Sequence, residues 1–159
     1  MKALHLLSPA IILILAGCSN PDYSKLIHAD ASLPASFNFN KMDLKVVSSS
    51  INETKSTMST LYGNDIALQT LKNKEANQSG EVLALVTWKR QEDSHWFGAW
   101  IPGKLLAVEV IKTAPGKAAE GPEISYQRFE GSKLTLNTDT TGRVKSIRYI
   151  LEQQPSVMP

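Results

Sequence analysis

The sequence predicts an α+β domain: a mainly antiparallel β-sheet with one helix after Asp65 and a C-terminal helix packed on it. Three observations carry that expectation. Short apolar or alternating runs recur between Leu44 and Leu136, divided by polar turns. One of them, residues 82–88, is apolar on both faces, as in a central strand covered on both sides. Helical spacing of apolar residues occurs twice, at Ile66, Ala67, Leu68 and Leu71 and at Val144, Ile147, Ile150 and Leu151.

Residues 1–17 stand apart from that domain. Lys2 precedes a short apolar core that includes Leu6, Leu7 and residues 11–15. The core is too short to cross a bilayer, so it reads as a secretory signal. The run Leu15-Ala16-Gly17-Cys18 resembles the bacterial lipoprotein cleavage box, in which the cysteine becomes the new N-terminus and its thiol takes lipid. That resemblance makes Cys18 the lipidation residue and membrane lipid a partner. It implies a bacterial envelope protein, and the non-acidic Ser19 points to the outer membrane, facing the periplasm. Residues 18–42 are then expected to be a flexible tether, broken by Pro21 and Pro34, and residues 43–159 the folded domain.

Within the domain, residues 44–51 form a first strand and residues 57–62 a second, with Asn52-Glu53-Thr54-Lys55 turning between them. Gly63-Asn64-Asp65 ends the second strand. A side-chain oxygen of Asn64 or Asp65 can cap the helix that follows, which stops by Gly80. After the central strand, residues 89–94 are expected to be a charged turn and residues 95–101 an aromatic strand ending at Pro102-Gly103. Leu106, Val108 and Val110 alternate with Ala107 and Glu109, the pattern of a half-buried strand. A loop over 113–122, a strand through Ile124, Tyr126 and Phe129, a short strand over 134–136 and the last helix, ended by Pro155, complete the order.

Composition removes several function classes. The chain has 159 residues, seventeen basic and fifteen acidic, so no broad basic face is available for nucleic acid. Cys18 is the only cysteine, which leaves no internal disulfide, no thiolate metal cluster and no C-x-x-C-H haem attachment. No Gly-x-Ser-x-Gly elbow and no glycine-rich phosphate loop is present. No catalytic residue, and no metal site, is assigned on this basis.

The candidate binding residues each carry a structural and a functional reading. Asn64 and Asp65 either cap the helix or meet a ligand at its N-terminus. His95 is either a surface histidine or a ligand to haem, with Glu92 and Asp93 near it in sequence. Trp96 and Trp100, with Trp88 and Phe97, either fill the core or line an apolar ligand pocket or a partner surface. Trp96 and Trp100 share one face of the expected strand.

The stretch Thr57-Met58-Ser59-Thr60-Leu61-Tyr62-Gly63-Asn64-Asp65 resembles the Tyr-Gly-Asn-Asp segment of the cytochrome P-460 family. The apolar strand ending in Trp88, then Gln91-Glu92-Asp93, Trp96-Phe97-Gly98 and Ile101-Pro102, are similar to a cysteine-poor lipoprotein branch of that family, and so is the C-terminal run from Tyr149. The resemblance covers nearly all of residues 43–159. It implies a mainly antiparallel β domain and adds Tyr62 to the candidate cofactor contacts. In the haem-bearing members a C-terminal C-x-x-C-H fixes a c-type haem that handles hydroxylamine or nitric oxide. This sequence lacks the motif, so no bound cofactor is expected. Two readings follow: a haem-free module that binds a small ligand or an envelope protein, leaning away from an enzyme, or a redox protein of that nitrogen chemistry using non-covalent haem or metal at His95.

Overall fold

The computed structural model describes residues 28–117, 121–131 and 133–156. The leader, Cys18 and the start of the expected tether lie outside them. Six strands run in sequence order as one antiparallel sheet: β1 (Lys45–Asn52), β2 (Thr57–Gly63), β3 (Val82–Glu92), β4 (Trp100–Ala114), β5 (Glu123–Glu130) and β6 (Thr135–Asn137). Helix α1 (Asp65–Asn73) joins β2 to β3, and α2 (Arg143–Leu151) follows β6. The α+β class and the sheet expected from the sequence are therefore correct.

The two faces of the central strands bury different things. On one face Leu61, Leu83, Leu85 and Ile111 pack against Ala67 and Leu71 of α1 and Ile150 of α2. Both helices thus cover the same face. Val144, counted in the apolar stripe of α2, is exposed, and the buried contact is made by Ile150 with Ile147 and Leu151 beside it. On the other face Ala84, Val86, Trp88, Val108 and Val110 pack against Phe39, Leu44 and Leu134.

That second cover corrects the expected tether. Residues 28–42 do not stand off the domain. Ala31, Leu33 and Phe37 pack onto the core beside Phe39. Phe39 lies against Tyr62 with ring centroids 4.8 Å apart, and Phe37 meets Phe129 edge-on at 5.0 Å. The Trp88 indole N–H donates to the Ala31 carbonyl at 2.8 Å. The physical reason is simple: a strand apolar on both faces needs a second cover, and Leu33, Phe37 and Phe39 are the apolar side chains upstream that supply it.

The β3–β4 arm is a second correction. Residues 89–92, expected as a turn, continue β3, and the chain turns over residues 93–99, where an aromatic strand was expected. Pro102 and Gly103 lie inside β4. The pairing shifts register between Thr87 and Trp88 and again between Trp88 and Arg90, so β4 bulges at Leu106 and at Gly103–Lys104, next to Pro102. A bulge tolerates the missing proline N–H. Gly103 permits the close approach there, since a Cβ would stand 2.9 Å from the Lys89 carbonyl oxygen.

Candidate functional site

The corner after β2 is built by Asn64. Its Oδ1 accepts the Ala67 N–H at 3.1 Å and the Val82 N–H at 3.2 Å, and its Nδ2 donates to the Gly80 carbonyl at 2.8 Å. One side chain therefore caps α1 and ties it to the start of β3. Gly63 leaves room for the side chains of the neighbouring strands, because a Cβ there would lie 3.0 Å from Leu83 and 3.1 Å from Val47. Asp65 is the first residue of α1 and points to solvent, where it meets Lys45 at 2.6 Å. The hydrogen bond and charge of Asp65 raise the Lys45 pKa.

Tyr62 lies in β2 under Phe39, on the face opposite the helices, and burial pushes its hydroxyl up from the ordinary value. His95 sits in the 93–99 turn, largely exposed, with its Nδ1 3.4 Å from Asp93 and 3.2 Å from the Ser94 hydroxyl. Trp96 is in the same turn and Trp100 opens β4. The Arg90 guanidinium stacks on Trp100 at 3.8 Å. The structure does not gather these candidates into one site. Asn64 bonds to Val82 while Trp100 pairs with Glu92, so the two lie at opposite ends of β3, roughly 30 Å apart by strand rise.

A cleft missed in the sequence lies at the other side of the sheet. It occupies about 250 Å³ between β5, β6 and the start of α2, and its lining includes Tyr126, Arg128, Asn137 and Arg143. Beneath it is Glu109, a buried carboxylate on the helix-covered face of β4. The half-buried pattern expected for that strand is thus wrong at Glu109. Its Oε1 accepts from the Tyr126 hydroxyl at 2.5 Å, and Arg128 Nη1 stands 3.4 Å away. Arg128 Nε donates to Glu130 at 2.6 Å, and Glu130 accepts Asn137 Nδ2 at 2.9 Å. Burial, helped by the bond to Glu109, raises the Tyr126 pKa. Burial works against the Arg128 charge, but Glu130 and Glu109 more than offset it and hold its pKa above the usual value. Arg143 stands over the Tyr126 ring at 5.9 Å and makes no ion pair with a described carboxylate. The sequence signal that marks this network is a glutamate at an inward position of a strand otherwise apolar on that side.

The order of elements, with the Tyr62-Gly63-Asn64-Asp65 corner leading into α1 and a tryptophan strand behind it, can now be set beside known families. The family model for cytochrome P460 matches residues 39–146, about two thirds of the chain. The chain belongs to the cytochrome P460 family. No curated protein matches it significantly. The match begins at Phe39, inside the segment that covers the second face of the sheet.

Membership in the cytochrome P460 family raises the question of haem, and the donor chemistry answers for the described residues. The cleft under Arg143 is lined by no histidine, cysteine or methionine, and neither is the groove of similar size between the ends of α1 and α2 nor the hollow beside the start of α2. Its Tyr126 hydroxyl is committed to Glu109. No three of the described His, Cys, Asp and Glu residues converge as a metal-binding group. His95 is largely exposed, with Asp93 and Ser94 beside it. These residues do not fit a c-type haem.

Proposed function

We propose that this cytochrome P460 protein is a lipid-anchored protein of the bacterial envelope whose domain is a haem-free module that binds a small polar ligand. The observation that carries the reading is the position of the only cysteine. Cys18 follows Leu15-Ala16-Gly17, where a thiol serves lipidation, and its use there leaves the P460 domain without a thiol for thioether attachment of haem. The cleft under Arg143 supports the second half. It offers the Arg143 guanidinium, which forms no ion pair with a described carboxylate although Asp139 lines the same cleft, a second guanidinium held by Glu109 and Glu130, and the Asn137 amide, donors that can meet the acceptor oxygens of a small ligand.

The anchor and the ligand are tested separately. Cys18→Ala should abolish acyl labelling and leave a precursor of higher mass. Label retained in the variant would remove the anchor from the account. For the ligand, acetate, succinate and inorganic phosphate are titrated against the wild type and Arg143→Ala in thermal melts. A ligand present at one hundred times its Kd stabilises by about 2.7 kcal/mol, which a melt resolves. At least one of the three anions should raise the wild-type Tm and lose that effect in Arg143→Ala. Equal shifts in both proteins, or none in either, would count against the cleft.

A further inference from the structure

The hairpin tip between β3 and β4 carries the most exposed aromatic side chains among the described residues. Phe97 is fully exposed and Trp96 is 72 % exposed, side by side over the end of the arm. The backbone holds them there. Ala99 N–H donates to the Trp96 carbonyl at 3.0 Å, Asp93 N–H donates to the Ala99 carbonyl at 3.0 Å, and Gly98 takes the positive φ of +77° that the turn needs. Trp100 does not share this exposure to the same degree, because Arg90 covers its ring.

The path of the N-terminal segment gives the tip a partner. Phe39 lies on Tyr62, whose neighbour in β3 is Ala84. Eight residues upstream, the Ala31 carbonyl holds Trp88. From Phe39 back to Ala31 the chain therefore runs along β3 towards the arm. It leaves the described residues beside the arm's base. Nine residues separate Cys18 from His28, a span of at most roughly 35 Å. The arm beyond Trp88 adds about 13 Å of strand over residues 89–92. The span from Cys18 to His28 is long enough for a lipid on Cys18 and the aromatic tip to meet one surface.

We propose that Trp96 and Phe97 dock into the headgroup region of the phospholipid bilayer that holds the lipid on Cys18, orienting the domain with the arm down. The inference rests on the lipid-anchored reading above. Tryptophan suits the membrane–water boundary because its ring is apolar and its N–H is polar, and Phe97 adds apolar area that water otherwise covers. The charge of the arm is mixed, with Lys89 and Lys104 exposed behind the tip and Glu92 exposed beside it, so the docking rests on the aromatic area of Trp96 and Phe97.

The test uses the full chain, purified in detergent and reconstituted into vesicles of phosphatidylethanolamine and phosphatidylglycerol. Brominated acyl chains quench tryptophan that reaches the lipid. Trp88 is buried in the core and Trp100 lies under Arg90, so quenching should come from Trp96. It should be present in the wild type and lost in the Trp96→Ser, Phe97→Ser double variant, whose melting temperature should not change. Acyl labelling of the same preparation reads the anchor independently. If the chain carries no lipid, the anchor reading fails alone, and the tip is read by partitioning of the detergent-free chain onto the same vesicles. The double variant should then partition roughly tenfold or more weakly. An unquenched wild type, or quenching and partitioning equal in the double variant, overturns the proposal. So does shielding of Trp96 from iodide in native envelopes but not in lipid vesicles, which would assign the tip to a protein.

Discussion

At the scale of single residues, Asn64 and Asp65 look alike in sequence and differ in load. Asn64 makes three hydrogen bonds that join α1 to β3, so Asn64→Ala should destabilise the domain by about 2 kcal/mol. Asp65 has a partner in Lys45, but both side chains are more than half exposed, and such pairs contribute little. Asp65→Ala should stay within about 0.5 kcal/mol of wild type in urea melts. A larger loss for Asp65 than for Asn64 would reverse the assignment of the cap. Tyr126 makes a pH prediction. Its pKa is raised in the fold, so its contribution is fully present below the unfolded tyrosine value near 10 and is lost as the pH rises through the folded value. Tyr62 adds to the same trend through burial. Stability should be flat with respect to both groups at neutral pH and fall above about pH 10. Tyr126→Phe should flatten part of that fall. At neutral pH it should cost roughly 1–3 kcal/mol, because the buried Glu109 carboxylate loses its shortest hydrogen bond.

At the scale of elements, the segment before β1 behaves as part of the core. A chain beginning after residue 42 lacks Phe37 and Phe39 and leaves the Trp88 indole N–H without Ala31, so its Tm should drop by roughly 10 °C or more relative to a chain beginning at residue 28. Equal melting temperatures would mean that the segment does not hold the sheet. Trp88→Ala should cost about 3–5 kcal/mol for the same reason, seen from the other partner. The elements with strong local signals were legible in the sequence: the corner at Tyr62-Gly63-Asn64-Asp65, the central strand and the two helices all lie where their periodicity put them. The arm was misread because alternation alone cannot separate a strand from a turn. The local signal for the turn, a glycine at the third position of Trp96-Phe97-Gly98-Ala99, was outweighed by aromatic content. The N-terminal cover was misread because Pro34 and the polar residues around it suggest a linker. Only the unmet need of the second sheet face identifies Leu33, Phe37 and Phe39 as core.

At the scale of the whole molecule, the fold and the family were legible and the cleft was not. Tyr126, Arg128, Asn137 and Arg143 come from two strands and a helix, and no spacing in the chain brings them together. His95, Trp96 and Trp100, close in sequence, end at a hairpin tip far from the Asn64 corner. The account as a whole is of a cytochrome P460 fold in which the described residues offer a cleft beside Arg143 and no cysteine to attach a c-type haem. The measurement that tests it most directly is the absorption spectrum of the full chain, purified from cells supplied with haem, together with metal analysis of the same sample. The account predicts no Soret band and no stoichiometric iron. A Soret band with one haem per chain, weakened by His95→Ala or by any other single substitution, would contradict it.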